Sequence, residues 1–145
     1  MQTKIEFCNS KIEVTDYISD MNNNEHGAQN IFIGKVRQNN MNRSVVGIEY
    51  EIFAELAHNV LTDLCAEARQ YIDENLDFTI IHRHGYLNVG EISVLIIAGS
   101  KHRDEAFRAC RFIIEEIKHR VPIWKQEHYT DGKSEWVQGH ALCQH

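Results

Sequence analysis

The sequence predicts an α+β fold, in which a mixed or antiparallel sheet is covered by two main helices. A chain of 145 residues is long enough to bury the hydrophobic core of one domain. The hydrophobic residues change along the chain from strand-like alternation to helical spacing and back. The resulting order of strands, helix, strands and helix favours an α+β domain over a regular β-α repeat. Residues 1–145 are therefore expected to form a single domain.

The first half of the chain reads mainly as strands and turns. The predicted segments are a strand over 4–8, a short helix over 15–21 capped by Thr15, a turn over 22–27, a strand over 30–37, a mobile polar loop over 38–44 and a strand over 45–53. Gly34 leaves room for a close backbone approach within its strand. The strand over 45–53 alternates, which predicts one apolar face made of Val46, Ile48, Tyr50 and Ile52.

The second half contains both main helices. A helix over 54–74 is predicted with a buried stripe of Leu56, Val60, Leu64, Ala68 and Tyr71, and a helix over 101–119 with Ala106, Cys110, Ile113 and Ile117. Strands are predicted over 78–82, 86–89 and 92–98, with a turn at Gly85 and a strand-like end over 134–137. Pro122 stops the second helix, and the tail from residue 126 is polar.

Composition excludes several classes of function. The longest apolar run, over 92–99, is too short to cross a membrane, and the first residues lack the features of a signal peptide. We therefore expect a cytoplasmic protein with no membrane contact. A net charge of −6 argues against general nucleic-acid binding. The chain has no P-loop or Gly-x-Gly-x-x-Gly motif, and no cofactor is predicted.

Cysteine and histidine spacing favours structural roles. The four cysteines (Cys8, Cys65, Cys110 and Cys143) include no Cys-x-x-Cys pair, which argues against a disulfide framework or a zinc knuckle. Cys65 and Cys110 fall on apolar helical stripes and are expected to be buried. His82 and His84 lack a third ligand at suitable spacing, so no metal site is predicted.

Positive charge concentrates in residues 101–125, which hold seven Lys/Arg against four Asp/Glu. At the start of the second helix, Lys101, His102 and Arg103 oppose the helix dipole, which is understandable if an anion binds there, although three solvated side chains are an alternative. At its other end, a rigid Pro-Ile-Trp turn between Lys118 and Lys125 could hold both ammonium groups against an apolar wall, where desolvation lowers a lysine pKa.

A second basic pair lies in the first half of the chain. Lys35 and Arg37 are two residues apart on a predicted strand, so they share a face. Arginine suits bidentate binding of phosphate or carboxylate. The pair alone is a weak indication of an anion site.

An ordered series of motifs resembles one family, the large (catalytic) subunit of molybdopterin synthase, or MoaE family. The motifs are Gly27-Ala28, Phe32-x-Gly34-Lys35-Val36-Arg37, Glu49-Tyr50-Glu51, His82-Arg83-x-Gly85-x-Leu87-x-Val89-Gly90-Glu91, His102-Arg103-x-x-Ala106-Phe107-x-Ala109-Cys110 and Lys118-x-x-Val121-Pro122-Ile123-Trp124-Lys125-x-Glu127. Each motif is weak alone, but the series, from residue 27 to Trp136, is specific.

The resemblance implies a fold similar to an α/β-hammerhead and a sulfur transferase activity. The family converts precursor Z, a cyclic pyranopterin monophosphate, to molybdopterin by installing two sulfurs. It takes them from the C-terminal glycine thiocarboxylate of a small ubiquitin-like subunit. The resemblance also implies a homodimer of large subunits within a heterotetramer.

The resemblance also implies the site residues. Lys118 and Lys125 match the essential lysines, and Arg37, His102 and Arg103 match the contacts to the substrate anion. The remaining residues expected to line the site are Lys35, Val36, Gln126 and Glu127.

Two positions depart from the family pattern. Gln126 stands where relatives often carry a second basic residue, which weakens the positive charge. His140 lies near the place where relatives often carry an arginine that reaches a neighbouring subunit, and a neutral imidazole binds phosphate less firmly.

Two other functions remain open from the sequence. One is a persulfide sulfurtransferase that uses Cys110 or Cys65. The other is a non-catalytic module that binds a small protein's C-terminal tail. Replacement of the cysteines tests the first, and loss of sulfur from a bound thiocarboxylate tests the second.

Overall fold

The computed structural model describes residues 1–138, in which three helices and ten strands are present. The helices are α1 (Val14–Ile18), α2 (Ala54–Tyr71) and α3 (Arg103–Arg120). The strands are β1 (Thr3–Cys8), β2 (Ala28–Lys35), β3 (Asn39–Asn40), β4 (Arg43–Ile52), β5 (Asp77–Arg83), β6 (Gly85–Asn88), β7 (Ile92–Ser100), β8 (Ile123–Tyr129), β9 (Gly132–Lys133) and β10 (Val137–Gln138).

The strands form two sheets. The first has the order β1-β5-β7-β2, with β1 parallel to β5 and the other pairs antiparallel. The second has the order β10-β8-β4-β3, and its remaining strands β6 and β9 pair with β4 and β8. This mixed arrangement confirms the predicted α+β class with two main helices.

Both long helices pack against the first sheet and against each other. Their shared core contains fully buried side chains from α2, α3 and the middle strands, among them Leu61, Leu64, Phe78, Ile96 and Ile113. The strand β7 is buried along nearly its whole length, as its continuous β-branched sequence predicts.

The predicted stripe of α3 is confirmed, since Ala106, Cys110, Ile113 and Ile117 are all buried. The predicted stripe of α2 is partly wrong. The buried residues there are Ala57, Leu61, Leu64, Cys65 and Ala68, whereas Leu56 and Tyr71 are 56% and 73% exposed. Leu56 lies about 120° around the helix from the centre of the buried face, because each residue advances the helix by about 100°.

A bulge changes the predicted face of β4. The pairing of β4 with β8 shifts between Val45 and Gly47, so Val45 is buried and Val46 is turned outward. The extra residue of a bulge interrupts the alternation on which the prediction depended. Beyond the bulge, Ile48 is buried as predicted.

The segment 38–44, predicted as a mobile loop, is a tight β-hairpin. Asn39 and Asn40 pair with Ser44 and Arg43, and the turn residues Met41 and Asn42 have φ values of 51° and 62°. Two left-handed residues give a turn whose twist matches that of the flanking strands.

The Pro-Ile-Trp turn predicted after α3 is wrong, because Ile123 begins strand β8. The polar run that follows is a strand whose alternate side chains are buried, and the sequence analysis did not find it. Its buried positions include Lys125 and Glu127, two charged residues that conceal the amphipathic pattern.

Several element boundaries also differ from the prediction. The short helix α1 begins at Val14 after Glu13, so Thr15 is not its cap. At Gly34 the close approach comes from a side chain and not from the backbone as predicted, since a Cβ there would lie 2.6 Å from Val94 Cγ1. Within residues 1–138, no helix has both the length and the apolar character needed to cross a membrane.

Candidate active site

A cavity of about 340 Å³ opens where the two sheets meet the C-terminal end of α3. Strands β2, β3, β4, β5, β7 and β8 and the last turns of α3 form its wall. Its polar lining is composed of Lys35, Arg37, Asn40, Tyr50, His82, Ser93, Lys118, Lys125 and Glu127. Four of these side chains are cationic, so the cavity suits an anion.

Lys118 and Lys125 lie in this cavity, as predicted, although different elements from those expected hold them. Lys118 belongs to the last turn of α3 and is half-buried, and Lys125 occupies the inner face of β8 and is 6% exposed. The apolar wall beside them comes from Ile117 and Ile123. Trp124 lies on the opposite face of β8, because side chains alternate along a strand.

Glu127 is held by a buried hydrogen-bond network. Its Oε2 accepts bonds from Asn40 Nδ2 at 2.9 Å and from the Tyr129 hydroxyl at 2.7 Å. Its Oε1 lies 3.9 Å from Lys125 Nζ. Burial raises the pKa of Tyr129, and the adjacent carboxylate adds to that effect. Glu127 therefore orients Lys125 through Oε1, while its Oε2 is held by Asn40 and Tyr129.

Arg37 joins the same network through Asn40. The guanidinium Nη2 donates to Asn40 Oδ1 at 3.0 Å. Lys35 lines the cavity on the same side, which agrees with the shared face predicted for this pair. Val36 between them does not line the cavity, because it is 2% exposed and packs with Val45 in a separate core cluster.

His82 also lines the cavity, whereas histidine spacing along the chain favoured a structural role for it. Its Nδ1 donates to the backbone carbonyl of Arg83 at 2.8 Å, and its ring meets Tyr50 edge-on at 5.1 Å. Burial lowers the pKa of His82 to about 4, and the neighbouring charges of His84, Lys118 and Lys125 act in the same direction. His82 is therefore a neutral ring at pH 7.

Gln126, predicted to line the site, does not. It points to the outer face of β8, where its Nε2 donates to the carbonyl of Ser134 at 3.2 Å. The segment from residue 126 was predicted only as a polar tail, and strand β8 separates its residues into two faces.

His102 and Arg103 lie outside the cavity. They are exposed at the start of α3, roughly 22 Å along the helix axis from Lys118 at a rise of about 1.5 Å per residue. One chain therefore does not bring them together with the two lysines. The anion site predicted at this helix start stays a prediction.

Three further arginines of the segment 101–125, Arg108, Arg111 and Arg120, make surface ion pairs. Arg108 pairs with Asp104 at 2.9 Å, and Arg111 with Glu115 at 3.0 Å, each one helical turn away. Such exposed pairs contribute little to stability. Their geometry is that of ordinary surface charge. His140, a possible partner contribution, lies outside the described residues.

Buried cysteines disfavour persulfide chemistry. Cys65 and Cys110 are 0% and 1% exposed. Burial raises the pKa of the Cys65 thiol to about 12 and that of Cys110 to about 11. A sulfur carrier needs an accessible thiolate, which neither side chain supplies. Among residues 1–138, no three His, Cys, Asp or Glu side chains are grouped to hold a metal ion.

Comparison with known proteins identifies relatives along most of the chain. The model of the family described as "MoaE protein" matches residues 7–120. A molybdopterin synthase catalytic subunit from Synechococcus elongatus is 51% identical over 119 residues, which cover 82% of this chain and 72% of the relative.

Solved structures of molybdopterin synthase subunits have a similar fold. Molybdopterin synthase from Staphylococcus aureus superposes with a TM-score of 0.84 at 33% identity, and the match covers 91% of this chain and 95% of that one. A complex of subunits 1 and 2 of the molybdopterin-converting factor from Helicobacter pylori gives a TM-score of 0.72 at 22% identity, covering 90% and 87%, and shows the same fold.

Proposed function

This chain belongs to the MoaE family, and we propose that it is the catalytic subunit of a molybdopterin synthase. In this reaction two sulfur atoms are transferred to precursor Z from the C-terminal thiocarboxylate of a small ubiquitin-like subunit. The observation that supports the proposal most directly is the cavity in which Lys118 and Lys125 lie beside Lys35 and Arg37. Both reactants are anions, and each needs cationic donors in a partly dry site.

The two lysines have different surroundings, which suggests different roles. Lys118 is half-buried at the end of α3, where an incoming tail can reach it, and we assign it to sulfur attack and proton transfer. Lys125 is buried and oriented by Glu127, 3.9 Å away, which suits a fixed contact to the phosphate. Together with Arg37 it would offset the charge that develops as the cyclic ester opens.

The sulfur donor supplies its own nucleophile. In each transfer a C–S bond to the pterin side chain replaces a C–O bond, whose oxygen leaves as water or, where the cyclic ester opens, stays on the phosphate. The acyl–sulfur bond then breaks by hydrolysis, which leaves sulfur on the product and a carboxylate on the partner's terminus. Buried Cys65 and Cys110 have no part in this scheme.

A second copy of this chain would supply His102 and Arg103. These residues lie roughly 22 Å from Lys118 along α3, so they can contact the same substrate only from another subunit. The edge strand β2 and α3 expose Ile31, Ile33 and Phe107 near one another, at 36%, 41% and 56%, as a dimer interface requires. The same proposal includes His140 as a contribution from the second copy and precursor Z as the substrate that the shared site recognises.

The function is tested with precursor Z and thiocarboxylated small subunit, with the dithiolene product as the readout. We expect Lys118→Ala and Lys125→Ala to lower the rate by about a hundredfold or more, since each removes a charge that acts in the transition state. Arg108→Ala, which removes an exposed cation from the helix that carries Lys118, is the control and should retain the rate. Full activity of Lys118→Ala would refute the assignment.

Mixed dimers test the second copy. A preparation in which Lys118→Ala and Arg103→Ala chains are combined should regain activity that neither variant has alone, because one of the two sites is then complete. No recovery, with the mixed dimer shown to form, would contradict a shared site. A module that only binds the tail would retain the partner's thiocarboxylate unchanged.

A further inference from the structure

Asn40 occupies an unusual place for a neutral side chain. It is 3% exposed, at the last position before the hairpin turn, and it lines the charged cavity. Its Oδ1 accepts from Arg37 at 3.0 Å, while its Nδ2 donates to Glu127 at 2.9 Å. The amide therefore stands between a cation and an anion that both belong to the site.

The geometry requires a residue that accepts and donates at the same time. A carboxylate at this position could accept from Arg37 but would repel Glu127, and an apolar side chain could do neither. An amide satisfies both neighbours and remains neutral. The left-handed turn at Met41 and Asn42 holds β3 beside β4, and so places the amide directly above Glu127.

We propose that Asn40 is a positioning residue that keeps Arg37 and Glu127 apart, so that Arg37 stays available to the substrate anion. This inference rests on the proposed function only in naming that anion a phosphate. Without the amide, the exposed Arg37 guanidinium and the buried Glu127 carboxylate would be drawn into a direct, charge-assisted ion pair. Arg37 would then be neutralised by the protein.

The Asn40 amide also preserves the contact between Glu127 and Lys125. Glu127 has its Oε2 occupied by Asn40 and Tyr129, which leaves Oε1 toward Lys125. If Arg37 took the carboxylate, Lys125 would lose its ion pair with Glu127. One amide therefore sets the relative placement of two cations that reach the cavity from distant parts of the chain.

The test measures binding of inorganic phosphate by ³¹P NMR, with no partner subunit and no sulfur present. We expect Asn40→Ala to weaken phosphate binding about tenfold, the usual effect of losing one charged hydrogen bond. Asn39→Ala, at the exposed neighbouring position, is the matched control and should bind as the parent does.

The decisive variant is a rescue. Adding Glu127→Gln to Asn40→Ala removes the carboxylate that would capture Arg37, so phosphate affinity should return to that of Glu127→Gln alone. Adding Glu127→Gln to Asn40→Asp should not restore it, because the new aspartate itself pairs with Arg37. A purely structural role for Asn40 predicts the same loss with or without Glu127.

The outcomes separate this inference from the proposed function. Unchanged binding in Asn40→Ala, or a loss that Glu127→Gln does not relieve, overturns the role of Asn40. Should Asn40→Ala fail to fold, Asn40→Ser, whose side chain is too short to reach both Arg37 and Glu127, replaces it: relief of its loss by Glu127→Gln supports the role, and an equal loss with and without Glu127 overturns it. Failure of the parent protein to form the dithiolene, with the phosphate results as expected, would refute the function alone.

Discussion

Replacement of His82 should change how stability depends on pH. His82 lies 5% exposed in the cavity wall, and burial holds its pKa at about 4 instead of the ordinary 6.5. In the unfolded chain the imidazole regains its ordinary affinity for protons. Below pH 6.5 the unfolded state therefore binds a proton that the folded state does not bind, so acid favours unfolding.

The size of the effect follows from the two values. A difference between 6.5 and about 4 corresponds to about 3 kcal/mol at the acid limit. This stability is fully present above pH 6.5 and is lost as pH falls toward 4. Of that amount, about 2 kcal/mol should disappear between pH 8 and pH 5.

Urea denaturation at pH 8, 7, 6 and 5 measures the effect. We expect His82→Gln, whose amide does not titrate, to lose about 2 kcal/mol less than the parent over this range. His58→Gln, at an exposed position on α2, is the control and should follow the parent. Equal pH dependence in His82→Gln and the parent would show that folding does not lower the pKa of His82, and would refute the reasoning.

Three further predictions concern the core, the thiols and the network. Leu64→Ala should lower the free energy of unfolding by about 2–5 kcal/mol in urea denaturation, whereas exposed Leu56→Ala should change it by less than about 0.5 kcal/mol. Cys110→Ala should retain dithiolene formation, and loss of sulfur transfer in a folded variant would revive the persulfide alternative. Tyr129→Phe should cost about 1–3 kcal/mol, since Glu127 loses a buried donor, and an unchanged unfolding midpoint would contradict that bond.

The sequence predicted the α+β class and both long helices because their apolar residues recur at the expected periods. It failed where one residue altered the period. The bulge after Val45 turned Val46 outward, and buried Lys125 and Glu127 made β8 look like a polar tail. Hydrophobic periodicity cannot reveal a strand whose inner face carries charge.

The candidate site divides in the same way. Lys118, Lys125, Lys35 and Arg37 were named from motifs, and the structure brings them to one cavity. Asn40 was missed, because a lone asparagine in a polar loop carries no signal. The role of His82 in the cavity wall was missed for a similar reason. The roles of Asn40 and His82 depend on contacts with residues that are distant in the sequence. Spacing along the chain does not encode those contacts.

The residues that line the cavity are joined by connections of very different sequence separation. Lys118 and Lys125 are joined by a short connection from α3 into β8, whereas the bond between Asn40 and Glu127 links residues 87 positions apart. Local contacts form quickly, and long loops close at a higher entropic cost. We therefore expect the two lysines to come together early in folding. The bond between Asn40 and Glu127 should form late, once β4 has paired with β8. Regaining phosphate affinity should then mark the last step of refolding.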